Sequence, residues 1–365
     1  MSTAVMLVGK RKLHAAAPTL VALLAALLGI PLLLRVLGFP TGEALRAFWT
    51  GSLGSEYAIT SATLVRATTL ALTGLAVALA FQAGVFNIGA EGQLLVGAAA
   101  AAAVGSGIGS RSGIGVLVEL VAGAAAGALW AGISAFLRAR FRVLEVISTI
   151  LLNFVGLYLV GYLVRGPLQE PLHIYPQSQG LPSALRLPRL TPSTRLHVGF
   201  IIAVVAAAVL WGFLRYTAAG FRLRAAGANP DSASIAGEID VVRTTTVAFL
   251  LSGAVAGLAG AVELTGVTFA LYENISSGYG YTGIAVALLA RLNPLAVMIS
   301  AFVLGALESG ATAMQRDAGI PSVIASIAEG VIILALISVG RSPLTLRSPP
   351  SIAMDSGSPA TGPAR

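Results

Sequence analysis

The stretch Phe86–Gln93 reads FNIGAEGQ and sets Asn87, Glu91 and Gln93 close together inside an otherwise apolar run. Carboxamides both donate and accept hydrogen bonds, and a carboxylate accepts them or carries charge. A carboxylate at the centre of a bilayer costs about 2.5–3.5 kcal/mol, so something must offset it. Gly84, Gly89 and Gly92 loosen the helix and expose backbone amides and carbonyls. Irregular backbone at membrane depth is tolerated only when buried in protein or lining a wet cavity. Two readings follow. Glu91 ties helices together through Asn87, Gln93 or backbone amides, or the cluster touches a solute and its water path.

A second polar group lies in EVISTILLN, Glu145–Asn153. Thr149 and Asn153 are four apart and share a helix face, with Ser148 beside them. Asn153 is either a hydrogen-bonding contact to a neighbouring helix or part of the same path. Glu145 follows RARFR and reads as a surface or interface charge. Glu119, Glu263, Glu308 and Glu329 lie in or near other apolar runs, as interhelical hydrogen-bonding groups or as a proton relay, with Arg66 as a partner for one of them. The chain has no cysteine and three histidines, and it contains neither a GxxxxGK[ST] loop nor HExxH. Phosphate-loop ATP binding is therefore excluded and a metal or hydrolytic site is poorly supplied.

The elements that must position these groups are membrane helices. The 365 residues are 56% hydrophobic and 10% charged, against about 25% charged in soluble domains. No alternating barrel pattern occurs, so the expected fold is all-α and polytopic, with broken helices. Ten candidate spans of roughly 20 residues or fewer can be marked: Ala17–Leu37, Ser61–Phe81, Phe86–Val104, Ile114–Leu137, Val146–Val164, Val198–Leu214, Thr244–Val267, Thr282–Leu292, Leu295–Ala311 and Val323–Val339. With both termini inside, fourteen Lys and Arg face the cytoplasm and eight face out, which fits the retention of basic residues inside. The net charge of +8 therefore reflects topology rather than nucleic acid, since no basic helix with interleaved aromatics occurs.

This gives a cytoplasmic N-terminus (1–16), a transmembrane domain (17–340) and a Ser/Pro/Gly-rich cytoplasmic tail (341–365) expected to be disordered. Lys10, Arg11 and Lys12 ahead of Ala17–Leu34 resemble a signal peptide, but the run is long for one and reads as a retained span. Residues 165–196 form an external loop, a structured cap or an irregular loop. Tyr272, Tyr279 and Tyr281 are expected at the external end. Gly123/Gly127 and Gly253/Gly257 fit the small-xxx-small pattern of closely packed helices. Ser61–Ala100 and Thr244–Ala290 both run span, Gly-rich break, span, in opposite senses, a weak inverted repeat of the kind transporters use.

The longest cytoplasmic interval, 216–243, carries FRLRAAGANPDSASIAGEIDVVR. Asn229-Pro230-Asp231 is a helix start, with Asn229 or Asp231 as cap and Pro230 in the first turn. A short helix Asp231–Ala236, with small Ala233 and Ala236 on one face, suits docking against another protein.

Together FNIGAEGQ, EVISTILLN, LRAAGANPDSASIAG and GYGYTGIAVALLA, in this order, resemble permeases of bacterial ATP-binding-cassette importers for branched-chain amino acids, simple sugars and nucleosides. The resemblance covers Ser61 to about Val339 and is nearer the nucleoside and simple-sugar branch. Gly237-Glu238-Ile239 departs from it, since the family more often has Gly-Ile directly. The resemblance implies a multi-pass bacterial inner-membrane subunit without cofactor or catalysis of its own. It implies a second permease subunit, identical or paralogous, cytoplasmic ATP-binding subunits, and an extracytoplasmic substrate-binding lipoprotein. The ATP-binding subunits would dock on Arg222, Arg224, Ala225, Ala226, Gly227, Asn229, Pro230, Ala233, Ala236 and Gly237. An ion- or proton-coupled secondary transporter is the alternative, for which the scattered glutamates would serve. A membrane-embedded enzyme comes third.

Overall fold

The computed structural model describes residues 34–108, 114–237 and 239–321, with isolated positions beyond them. The first and last candidate spans fall largely outside the described residues, as do the segments 1–16 and 341–365. The described fold is all-helical apart from three isolated bridges. In chain order the helices are α1 (Thr41–Ser52), α2 (Glu56–Gln82), α3 (Ala90–Ile108), α4 (Gly115–Phe141), α5 (Glu145–Arg165) and α6 (Gly199–Tyr216). They continue as α7 (Ala218–Ala228), α8 (Pro230–Gly237), α9 (Val241–Glu263), α10 (Tyr279–Leu289) and α11 (Pro294–Ala318).

Six of these, α2, α4, α5, α6, α9 and α11, are long and apolar enough to cross a membrane. These six are counted among the described residues, outside which two of the ten expected spans largely lie; two further expected spans are not among the six. The expected span Phe86–Val104 begins instead as irregular backbone, and its helix α3 carries Glu91 and Gln93 in its first turn. The expected Thr282–Leu292 is the short α10, 11 residues long, or about 16 Å at 1.5 Å per residue. Two π turns interrupt the long helices, Ile59–Thr63 within α2 and Leu264–Thr268 extending α9.

The centre of the bundle is α2, α3 and α9, with α4 packed against α3 and α9 from the outside. Gly127 and Gly253 face each other so closely that a methyl group on either would meet the other's carbonyl oxygen, and Gly257 stands likewise against Gly97 and Gly123. Backbones in contact gain dispersion at no rotamer cost, which offsets the absence of a hydrophobic drive between helices in lipid. The expected small-residue interface is thus the α4–α9 seam, joined by α3. Apolar side chains such as Leu72, Leu75, Leu94, Phe249 and Leu304 fill the rest.

Residues 166–198 form an ordered cap at one end of the bundle. It is stitched to the chain after α9 by Ser178 N–H to Leu271 O (2.7 Å), Leu181 N–H to Phe269 O (2.7 Å) and Leu187 N–H to Thr265 O (2.9 Å). The Arg186 guanidinium lies 4.5 Å from the centre of the Phe269 ring. His197 is buried there with its Nδ1 accepting from Gly199 N–H at 3.2 Å. Burial, and secondarily the charge of Arg195, pull its pKa down to about 4. Helices α7 and α8 lie at the opposite end.

Candidate functional site

Two segments leave helical geometry inside the bundle. The first, residues 83–89, follows α2; the second, residues 269–278, follows α9. Each turns back toward the interior before the next helix starts. Asn87 reaches Ser252 in the middle of α9, and Gly283 packs on Thr73 in α2, so α3 and α10 both begin part-way along their neighbours. Their N-termini abut: a methyl group on Gly280 would strike the backbone of Glu91.

A helix N-terminus leaves four N–H groups without intrahelical partners and carries a partial positive charge. Two such ends pressed together need acceptors and negative charge, and the residues of FNIGAEGQ supply both. Glu91 Oε2 accepts from Gly280 N–H at 2.7 Å, so the carboxylate at the start of α3 caps α10. Asn87 Oδ1 accepts from Gly89 N–H at 3.0 Å and from Gln93 Nε2 at 3.0 Å. Its Nδ2 donates to Gln93 Oε1 and to Ser252 Oγ, both at 2.9 Å. Ser252 in turn donates to the carbonyl of Ala76 at 2.6 Å. Asn153 of α5 completes the set: its Oδ1 accepts from Gly92 N–H at 2.8 Å, and its Nδ2 donates to Ile88 O at 2.9 Å and to Tyr281 Oη at 3.2 Å.

Asn87, Glu91, Gln93 and Asn153 are therefore brought together. Thr149 packs against Gly89 but donates its hydroxyl to Glu145 O at 2.7 Å, and Ser148 also bonds back to Glu145 O at 3.1 Å. Ser148 joins the cluster by burial only. Tyr279 and Tyr281, expected at the outer end, open α10 within the bundle because the second break dips inward. Ser252 and the Gly280 amide were missed by sequence reasoning, since neither stands near FNIGAEGQ along the chain.

Also missed was a cavity of about 370 Å³ toward the capped end, lined by Ser61, Arg66, Arg195, Glu263, Tyr279 and Thr312 among others. Both π turns contribute to its wall, through Ser61 and Ala62 of one and Val267 of the other. Such turns concentrate at functional sites. Arg66 donates to Ser309 and Thr312 at 3.1 Å each and lies 3.9 Å from Glu308, one of the four glutamates expected to include its partner. Glu263 Oε2 accepts from Thr69 at 2.6 Å. Glu145 pairs with Arg138 at 3.4 Å, as an interface charge should.

At the far end Asn229 caps α8 by accepting from Ser232 N–H at 3.0 Å. The helix runs Pro230–Gly237, slightly longer than expected, and Ala233 turns inward. Leu223, Ala226 and Gly227 of α7 face the protein, and Gly227 sits directly on the turn Gln82–Gly84. Ile235, which sequence reasoning passed over, is 83% exposed on a helix whose other residues are small or polar apart from Pro230. Among the described residues no group of three or more His, Cys, Asp or Glu is placed to hold a metal.

A family described as branched-chain amino acid transport system / permease component matches residues 59–339. The chain belongs to this permease family. Similar proteins include the guanosine ABC transporter permease protein NupP of Bacillus subtilis, 38% identical over 90% of this chain and 94% of its own. The glucose ABC transporter permease protein TsgB13 of Haloferax volcanii is 36% identical over 81% of this chain and 80% of its own. The nucleoside ABC transporter permease protein NupB of Lactococcus lactis is 30% identical over 83% and 89%. No solved structure matches. The chain is thus a multi-pass membrane permease subunit of an ATP-binding-cassette importer, not an enzyme; ATP hydrolysis falls to partner subunits. Family membership displaces the secondary-transporter alternative, and it implies ATP-binding subunits and a substrate-binding protein as partners.

Proposed function

We propose that this permease carries nucleosides across the membrane. The observation that carries the reading is its 38% identity to a guanosine permease over nearly the full length of both chains. A simple sugar is the second reading, favoured by the glucose permease relative. A neutral polar solute suits both. Uptake by proteoliposomes of the assembled importer, competed with guanosine, uridine, ribose, glucose and leucine, separates them. Competition by guanosine and uridine supports the nucleoside reading; competition by leucine alone overturns both.

In this reading residues 165–196 face outward, 216–243 form the cytoplasmic coupling region, and the bundle makes eight to ten crossings. The segments α2–α3 and α9–α10 act as an inverted pair. Asn87, Glu91, Gln93, Ser148, Thr149 and Asn153 brace the meeting of two half-helices beside the translocation path. The second permease subunit is a copy or a paralogue, and a lipoprotein delivers the solute to the cap. Because the chain lacks cysteine, single cysteines report orientation cleanly. One at Ser183 should label from outside and one at Ser232 only from inside; the reverse sinks the topology.

The ATP-binding subunits dock on α7–α8, through Arg222, Ala225, Asn229, Pro230, Ala236 and Gly237, with Ile235 as the apolar anchor and the buried Ala233 behind it. Gly227 and Ala226 support this face from behind, so a bulky residue at Gly227 would strike the permease itself. Ile235→Asp is the sharper probe. The variant should insert and pair with its partner yet lose co-purification of the ATP-binding subunit and substrate-stimulated hydrolysis. If both survive, α8 is not the docking element.

A further inference from the structure

At the α8 end a cavity of about 340 Å³ opens between α6, the end of α2 and the α10–α11 turn. Gln82, Trp211, Arg215, Arg224, Arg291 and Asn293 are among its lining residues, and no carboxylate is. Among the described residues, none of the three arginines makes an ion pair. Arg224 is half-buried, and its Nε is shielded from solvent without an acceptor. An N–H left so is destabilising, and an incoming anion would satisfy it.

The turn that presents Arg291 is itself costly. Arg291 and Leu292 both adopt left-handed conformations, φ 52° and 61°. Each is strained for a non-glycine residue. Glycine would adopt either without strain. Gln82 Nε2 pins the turn by donating to Leu292 O at 2.6 Å. A strained turn that keeps an arginine, aimed at a cavity with two more, indicates that the side chain is used. Of the apolar lining, Leu214 and Trp211 come from the last turns of α6, and Trp211 combines an apolar ring with a polar N–H.

We propose that this cavity holds the phosphate of an anionic phospholipid from the leaflet at the α8 end. Guanidinium groups match phosphate oxygens in pairs, and basic pockets between membrane helices suit such headgroups. The proposal does not depend on which solute is carried. It gives Arg224 a partner other than the ATP-binding subunit, while Arg222 lines a separate groove beside Gly237.

The test is native mass spectrometry of the assembled importer, incubated separately with phosphatidylglycerol, phosphatidylcholine and inorganic phosphate. Wild type should retain phosphatidylglycerol but not phosphatidylcholine. The double variant Arg215→Gln/Arg291→Gln should bind it about thirtyfold more weakly, at about 1 kcal/mol per basic residue. Arg215→Lys/Arg291→Lys should keep most of the binding. Equal melting in pure phosphatidylcholine shows that the Gln variant is folded; should it fail to assemble, Arg215→Gln alone, at an exposed position, should still lose about fivefold. Equal retention by wild type and either Gln variant overturns the proposal. So does displacement of the lipid by an equal concentration of inorganic phosphate, which marks a soluble-anion site. Retention only after the ATP-binding subunits are stripped off overturns it as well, since the pocket would then belong to that interface.

Discussion

The two breaks in the bundle are held by different means. The first, 83–89, is sealed largely by its own neighbours: Asn87 and Gln93 pair through two hydrogen bonds six residues apart. The second, 269–278, is held from a distance. Glu91 caps its helix from 189 positions away, Ser178 and Leu181 of the cap bond its backbone, and Arg165 grips Glu273 through two hydrogen bonds of 3.0 and 2.8 Å. The first also takes two remote bonds, Asn87 to Ser252 and Asn153 to Ile88 O, whereas of the second's clamps only the Arg165–Glu273 pair is on exposed groups. A local seal resists opening; a seal made of separate remote clamps can be released one clamp at a time. In the proposed reading, the second break is the element suited to move when solute passes.

Asn87→Ala should have the largest effect. It strips partners from Gly89, Gln93 and Ser252 at once. At about 1–3 kcal/mol per orphaned buried group, a loss of roughly 4 kcal/mol is expected, seen as failed assembly in detergent melting. If Asn87→Ala melts like wild type, the first break is not sealed as described. Glu91→Ala should cost less, about 2–3 kcal/mol, because it removes the acceptor for Gly280 N–H and the contact with Ser276. Glu91→Gln keeps an acceptor and should recover about half of that, while uptake falls in both variants. Equal loss in the two would shift the weight from hydrogen bonding to charge.

The cap over the second break should respond to pH. The depressed pKa of His197 means that the fold favours its neutral form. Its contribution is complete above the unfolded pKa near 6.5 and is lost as pH falls toward 4. About 2 kcal/mol should disappear between pH 8 and pH 5. His197→Gln should flatten that part of the melting-versus-pH curve; an unchanged slope would assign it to other groups. Arg165→Gln should have the smallest effect on stability, below about 1 kcal/mol, because the pair with Glu273 is solvent-exposed. Its uptake rate should change more than its melting. The opposite ranking would make that clamp structural.

The same contrast decides what could be read from the sequence. The first break was legible because its acceptors and glycines occupy adjacent positions. The α4–α9 seam was legible through its glycine spacing, and α8 through Asn229-Pro230-Asp231. The second break showed only as a Gly-rich stretch, since its partners Glu91, Ser178 and Arg165 come from three other segments. The Arg66 cavity was invisible for the same reason: Arg66, Arg195 and Glu263 lie on different elements, and spacing along one chain does not reveal a meeting in space. Among the described residues, the expected spans Phe86–Val104 and Thr282–Leu292 start inside the bundle, because a hydropathy window cannot tell a half-helix from a crossing.

The central claim is that the carboxylate of Glu91 seals the start of α10 at the Gly280 amide. Amide hydrogen exchange of the segment 278–283 in the reconstituted importer reads that contact. Wild type should protect the segment, Glu91→Gln should expose it partly, and Glu91→Ala should speed its exchange by on the order of tenfold or more, while 83–89 changes less. Exchange of 278–283 that is identical in wild type and Glu91→Ala would contradict the account.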